Sequence, residues 1–175
     1  MKEEFIPELL DSLREGGINF VSGLPDSWLR NVLEAVEKDS RFTYVPVCNE
    51  GVGFSICVGA WLGGKKPALI MENSGIRVAA ESIARLNFQM GGGGGCHGVG
   101  TLIVTSYRGD VGDAEFFAMN HAITLEPFLQ ALRIPYVIVR NPNDLRKSVV
   151  RSARAAFRQM KPVALVISGD LTMED

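Results

Sequence analysis

Apolar residues along the chain switch repeatedly between a helical period and short continuous runs. Phe5, Ile6, Leu9, Leu10 and Leu13 fall on one helical face, and Gly16-Gly17 ends that helix. Residues 18–22 form a strand-length run. Gly23-Leu24-Pro25-Asp26-Ser27 then reads as a turn whose Asp26 or Ser27 caps a helix over residues 28–38. Residues 42–47 predict a buried strand, residues 52–62 the helix after it, and residues 68–71 a third strand. A helix over 76–88, a strand over 101–106, a polar segment over 107–120 and a helix over 125–132 follow. The pattern closes with a strand over 136–139, a helix to Met160 capped by Asn143 or Asp144, and a strand over 163–167.

Strand and helix alternate about six times, and the strands are apolar throughout instead of at every second position. That predicts a three-layer α/β/α domain, with a parallel sheet of about six strands covered on both faces. No linker or repeat divides residues 1–175, so the chain reads as one domain. Ligands of such sheets bind beyond the carboxyl ends of the strands. Here that rim consists of loops 23–27, 49–53, 72–75 and 107–121, which hold most of the unusual polar residues.

With 175 residues, 46% of them hydrophobic, the chain can bury a sizeable core. A net charge of −2 without a basic stripe argues against nucleic acid as a partner. Polar residues interrupt every apolar run before it reaches membrane-spanning length, and Met1-Lys2-Glu3-Glu4 does not resemble a secretory leader. Cys48, Cys57 and Cys96 are odd in number and read as reduced thiols, so a cytoplasmic location is expected. The two histidines, His97 and His121, stand apart, and Cys96-His97 lack ligand spacing. No metal site is expected from this chain alone.

Two glycine signals carry no phosphate chemistry. Residues 59–65 match P-loop spacing up to the lysine, but Lys66 follows where Ser or Thr is needed, and the segment leads from a helix into a strand. Residues 91–95 follow a helix and read as a flexible connector. Glu50 is different. It is a single carboxylate at a strand-to-helix turn, between apolar segments and flanked by Gly51 and Gly53, which permit close approach to the backbone. The plain reading is an acidic residue favoured in a first helical turn. The alternative is a proton donor, because apolar neighbours such as Val45, Val47, Val52 and Phe54 disfavour the charged form.

Asn49-Glu50-Gly51-Val52-Gly53, Gly59-Ala60, Gly63 to Ala68 and Asn73-Ser74-Gly75 resemble the pyrimidine-binding domain of thiamine diphosphate enzymes. Within them, loop 23–27, residues 46–53 and 63–75, Ser106 to Asp110 and Leu132 to Tyr136 are most similar to the sulfopyruvate decarboxylase family, and next to phosphonopyruvate decarboxylases. Residues 91–100 depart from the pattern.

The resemblance implies that Glu50 is catalytic, a protonated acid hydrogen-bonded to the cofactor's pyrimidine ring. Gly23, Asn73, Ser74 and Gly75 would line the cofactor pocket. Asp26 would face the substrate, against its plain role as a helix cap. Tyr107 and Arg108 would bind substrate, the guanidinium pairing with a sulfonate, phosphonate or carboxylate; the plain alternative for Arg108 is a solvated charge. His121 would shuttle protons, against a role in loop packing.

Enzymes of this kind also hold the diphosphate and Mg2+ on a Gly-Asp-Gly motif with a downstream Asn. Here Leu171 follows Gly169-Asp170, and no Asn follows. The resemblance therefore implies a beta subunit that carries the diphosphate-binding domain and most of the magnesium site. The chain would act on a small 2-oxo acid within a hetero-oligomer, and could form a homo-oligomer when isolated. Two readings compete with the sulfopyruvate one: a phosphonopyruvate decarboxylase subunit, and a non-catalytic binding module that keeps the fold.

Overall fold

In a computed structural model of the protein, which describes residues 1–89 and 98–173, six strands form one fully parallel sheet. The strands are β1 (Phe20–Gly23), β2 (Thr43–Pro46), β3 (Pro67–Met71), β4 (Thr101–Ser106), β5 (Tyr136–Val139) and β6 (Pro162–Ile167), in spatial order β2-β1-β3-β4-β6-β5. The helices are α1 (Ile6–Glu15), α2 (Arg30–Lys38), α3 (Glu50–Leu62), α4 (Gly75–Gln89), α5 (Met119–Ala131), α6 (Leu145–Gln159) and a final turn, α7 (Gly169–Thr172). The glycine run expected as a connector, with Cys96 and His97, lies outside the described residues.

Two cores sandwich the sheet. On one face Leu9, Leu13, Leu33 and Val149 of α1, α2 and α6, with Leu29 just before α2, pack against β1 and β4. On the other, Phe54, Ile76, Ile83, Leu125 and Leu129 of α3, α4 and α5 pack against β3, β4 and β6. The central strands β3, β4 and β6 are buried at every position, as continuous apolar runs require when helices cover both faces.

Three expectations need correction. The run 42–47 reads as a buried strand, yet β2 is an edge strand and no residue of it is fully buried. The polar segment after β4 is shorter than expected, because α5 begins at Met119, preceded by a 3-10 turn over Phe116–Ala118. Neither Asn143 nor Asp144 caps the helix after β5 with its side chain. Instead Asn141 accepts from Asn143 N–H at 2.9 Å and sets up a 3-10 turn, Pro142–Asp144, ahead of α6.

The strand order places the site. After β1 the chain crosses to β2 on one side, and from β3 onward it builds on the other side, so β1 and β3 flank a topological switch point. Gly23 at the end of β1 pairs with Ile70 of β3 and Pro46 of β2, so three strands end at nearly the same level. Their loops leave the sheet side by side.

Candidate active site

α3 opens with Glu50. Asn49 precedes it in extended conformation, and its Oδ1 accepts from Val52 N–H at 3.1 Å, so the helix is capped by Asn49 and the Glu50 carboxyl group is free for other work. The two glycines expected to allow close approach let α3 settle onto its neighbours. A Cβ at Gly51 would lie 2.9 Å from Ser82 Oγ of α4, and one at Gly53 would lie 2.8 Å from Leu69 Cδ1 of β3. Glu50 itself is buried. Gly75 backs its side chain closely: a Cβ there would lie 2.7 Å from Glu50 Cγ and 2.9 Å from Oε1.

The surroundings of Glu50 are more polar than the local sequence implies. Phe54 is fully buried, but Val52 is half exposed. A small cavity of about 250 Å3 at the switch point is lined by Leu24, Pro25, Asp26, Glu50, Glu72 and Ser74. The β1 loop supplies Asp26, the start of α3 supplies Glu50, and the β3 loop supplies Glu72 and Ser74. Three carboxyl groups thus share one small space.

The two oxygens of Asp26 differ. Its Oδ1 accepts from Trp28 N–H at 2.6 Å and Leu29 N–H at 2.7 Å, which is the capping role. Its Oδ2 is buried and has no hydrogen-bond partner among the described residues. Burial pushes this carboxyl group up. The two backbone N–H bonds act in the opposite direction, and the negative charge of Glu72 adds to the rise.

Glu72, which local sequence reasoning did not single out, is the hub of the β3 loop. Its Oε1 accepts from Ser74 Oγ at 2.7 Å and lies 3.1 Å from His121 Nδ1. His121 stands in the first turn of α5 and reaches the pocket wall through Glu72. Asn73 is buried; its Nδ2 donates to the Arg108 carbonyl at 2.9 Å, while its Oδ1 is buried without a partner. At Gly23 a Cβ would lie 3.0 Å from the Ile70 carbonyl, so this glycine serves the close pairing of β1 and β3.

Arg108 is neither a solvated charge nor a rim cation. Its side chain is 6% exposed; Nε donates to Asp113 Oδ2 at 2.8 Å and Nη1 to Ser27 Oγ at 2.6 Å. The guanidinium also lies over Trp28, 4.8 Å from the ring centroid, and near Phe117 at 5.6 Å. Burial pushes the Asp113 carboxyl group up, but the Arg108 bonds and the Gly109 and Glu115 N–H groups outweigh it. The group is held below the usual carboxylate range. Tyr107 is buried and its hydroxyl donates to Glu126 Oε1 at 2.9 Å. Burial, together with the carboxylate beside it, pushes that hydroxyl up to about 12. Neither Tyr107 nor Arg108 lines the cavity.

Over 160 residues the chain is 29% identical to the sulfopyruvate decarboxylase subunit alpha of Methanocaldococcus jannaschii, covering 90% of this chain and 89% of that one. The alpha subunit from Methanothermobacter thermautotrophicus is 28% identical over 167 residues, covering 95% and 97%. Over nine-tenths of its length the chain is thus similar to sulfopyruvate decarboxylase alpha subunits. A phosphonopyruvate decarboxylase from Streptomyces viridochromogenes is 27% identical over 108 residues, which is 62% of this chain and 25% of that protein. No protein-family profile matches. The fold recurs in a 2-oxoglutarate:ferredoxin oxidoreductase from Magnetococcus marinus, with a TM-score of 0.73 over 96% of this chain, 29% of that one, at 16% identity.

Proposed function

We propose that the chain is the alpha subunit of a two-subunit, thiamine diphosphate-dependent decarboxylase that converts 3-sulfopyruvate to sulfoacetaldehyde and carbon dioxide. The observation that carries this reading is the pocket at the switch point. It holds a buried Glu50 backed by a glycine and shared with Asp26, in a chain similar over 90% of its length to a sulfopyruvate decarboxylase alpha subunit.

The pocket residues fit the ring end of the cofactor. Asp26 Oδ2 at the cavity and Asn73 Oδ1 in the loop beside it are buried acceptors without a partner among the described residues, and Gly75 packs directly behind the Glu50 side chain. A cavity of about 250 Å3 is sized for a ring and a small acid. When bound, thiamine diphosphate supplies the nucleophilic carbon and the electron sink for loss of carbon dioxide. Glu50 holds and exchanges a proton on its carboxyl group. Asp26 is assigned the substrate side through its unpartnered Oδ2, and His121, whose Nδ1 lies 3.1 Å from Glu72 Oε1, is assigned proton transfer behind the pocket wall. Such positioned acid–base groups typically contribute about 10²–10⁴-fold.

The alpha-subunit designation of the relatives supports a partner subunit, to which the diphosphate and magnesium are assigned. Exposed apolar side chains border the site on the elements a partner would cover: Val52 on α3, Val78 on α4, and Phe116, Phe117, Met119 and Ile123 around the start of α5. Among the described residues, no helix is long and apolar enough to cross a membrane. The test is to purify the chain alone and with the subunit that co-purifies with it, then assay carbon dioxide release from 3-sulfopyruvate and phosphonopyruvate. The assembled pair should act on 3-sulfopyruvate and the isolated chain on neither. Magnesium-dependent micromolar binding of thiamine diphosphate to the isolated chain would contradict the division of labour.

A further inference from the structure

The electrostatics of the site pose a problem for an anionic substrate. Three carboxyl groups and no basic side chain line the cavity, yet a 2-oxo acid with a second acidic group brings two negative charges. A cation is the natural receiver, and two arginines of the loop after β4 and the end of β5 are already neutralised. Arg108 is buried against Asp113, and Arg140 pairs with Asp110 at 2.6 Å. Arg77 differs from both.

Arg77 stands in the first turn of α4, its N–H donating to the Ser74 carbonyl at 3.1 Å, directly after the loop that forms the pocket wall. Its Nη1 reaches across to α5 and makes two long bonds, each 3.3 Å, to the neutral acceptors Asn120 Oδ1 and Thr124 Oγ1. Those residues flank His121, which touches Glu72 of the cavity. Among the described residues no carboxylate pairs with Arg77, and its Nε and Nη2 have no hydrogen-bond partner. The open Nε–Nη2 edge of a guanidinium is the fork that accepts two oxygens of a sulfonate, phosphonate or carboxylate. α5 holds Nη1 while that edge stays open.

We infer that Arg77, which lies outside the cavity itself but on the helix that begins at its Ser74 wall, is the specificity residue that receives the second acidic group of the substrate. This rests on the proposed decarboxylase reading. A sulfonate placed there stands beside His121 and directs the 2-oxo acid end toward Asp26 and Glu50, away from the buried Arg108.

The assembled enzyme should be compared as wild type, Arg77→Gln and Arg77→Lys. Two readouts are needed: KM for 3-sulfopyruvate against pyruvate, and calorimetric binding of the unreactive 3-sulfopropionate. Loss of a hydrogen-bonded charge predicts that Arg77→Gln raises KM for 3-sulfopyruvate and weakens 3-sulfopropionate roughly ten- to hundredfold. Pyruvate, which lacks the second acid, should be unaffected, and Arg77→Lys should recover part of the loss. An unchanged KM for 3-sulfopyruvate, or equal losses for both acids, would overturn the inference. A wild-type enzyme that turns over neither acid would overturn the decarboxylase reading instead, and Arg77-dependent binding of 3-sulfopropionate would still establish the anion site.

Discussion

Gly75→Ala tests whether Glu50 is positioned by its packing. The added Cβ would lie 2.7 Å from Glu50 Cγ, 2.9 Å from Glu50 Oε1 and 3.0 Å from Met71 Sδ. Carbon atoms pack at about 3.5–4.0 Å, so about 1 Å of movement is required. Met71 is fully buried in β3, and the Gly75 N–H is tied to the Glu72 carbonyl at 2.9 Å, which leaves the Glu50 side chain as the part that yields. Overpacking of this kind costs about 1–3 kcal/mol of stability. A displacement of about 1 Å at a reacting group costs on the order of 10²-fold in rate. The assay is kcat/KM for 3-sulfopyruvate in the assembled enzyme, alongside its denaturation midpoint. Gly59→Ala is the control: it lies in α3 with nothing within 4 Å of the added methyl, so it should keep full activity and gain about 0.5–1 kcal/mol. A Gly75→Ala enzyme that loses stability but keeps its normal rate would refute the positioning argument.

Two further perturbations separate fold from chemistry. Asp113→Asn strands the Arg108 charge in a site where both side chains are nearly inaccessible, and should cost roughly 3–5 kcal/mol. Because the folded Asp113 carboxyl group is held low, its contribution is complete above the usual carboxylate range and is lost as pH falls through the lowered folded value. The difference in Tm from wild type should therefore be largest near neutrality and shrink in acid. Asp26→Asn keeps an acceptor for the Trp28 and Leu29 N–H groups but removes a buried carboxylate that burial pushes up. A raised folded value costs stability once pH exceeds the unfolded value, so the variant should be more stable than wild type at neutral pH and equal to it in strong acid, with decarboxylation reduced; thermal melts across pH and a rate assay check both.

Most of the fold was legible because apolar runs and helical spacing are local signals. β4 was predicted over its full observed range, 101–106, and β3 and β6 to within a residue, their runs being buried on both faces. The run at β2 looked the same, but burial there depends on neighbours in the sheet, and an edge strand has one side uncovered. The sequence pattern does not show the start of α5 because Phe116, Phe117, Met119 and Ile123 are apolar yet exposed, so no buried helical face shows there.

At the site, Glu50 announced itself through its position between a strand and an apolar helix. The company it keeps did not, because Asp26 and Glu72 arrive from loops more than twenty residues away along the chain, brought together by the parallel register of β1 and β3. The burial of Arg108 was hidden for the same reason, since it needs Trp28 and Ser27 from the far end of the β1 loop as well as nearby Asp113.

The central claim is that this chain brings the proton-exchanging carboxyl group to a two-subunit decarboxylase, and Glu50→Gln tests it most directly. The substitution is nearly isosteric, and Asn49 caps α3, so fold and subunit assembly should be retained. The measurement is carbon dioxide release from 3-sulfopyruvate by the assembled, cofactor-loaded enzyme. The account predicts a loss of roughly 10²-fold or more, the contribution of a positioned proton-transfer group. A Glu50→Gln enzyme that assembles and releases carbon dioxide at the wild-type rate would contradict it.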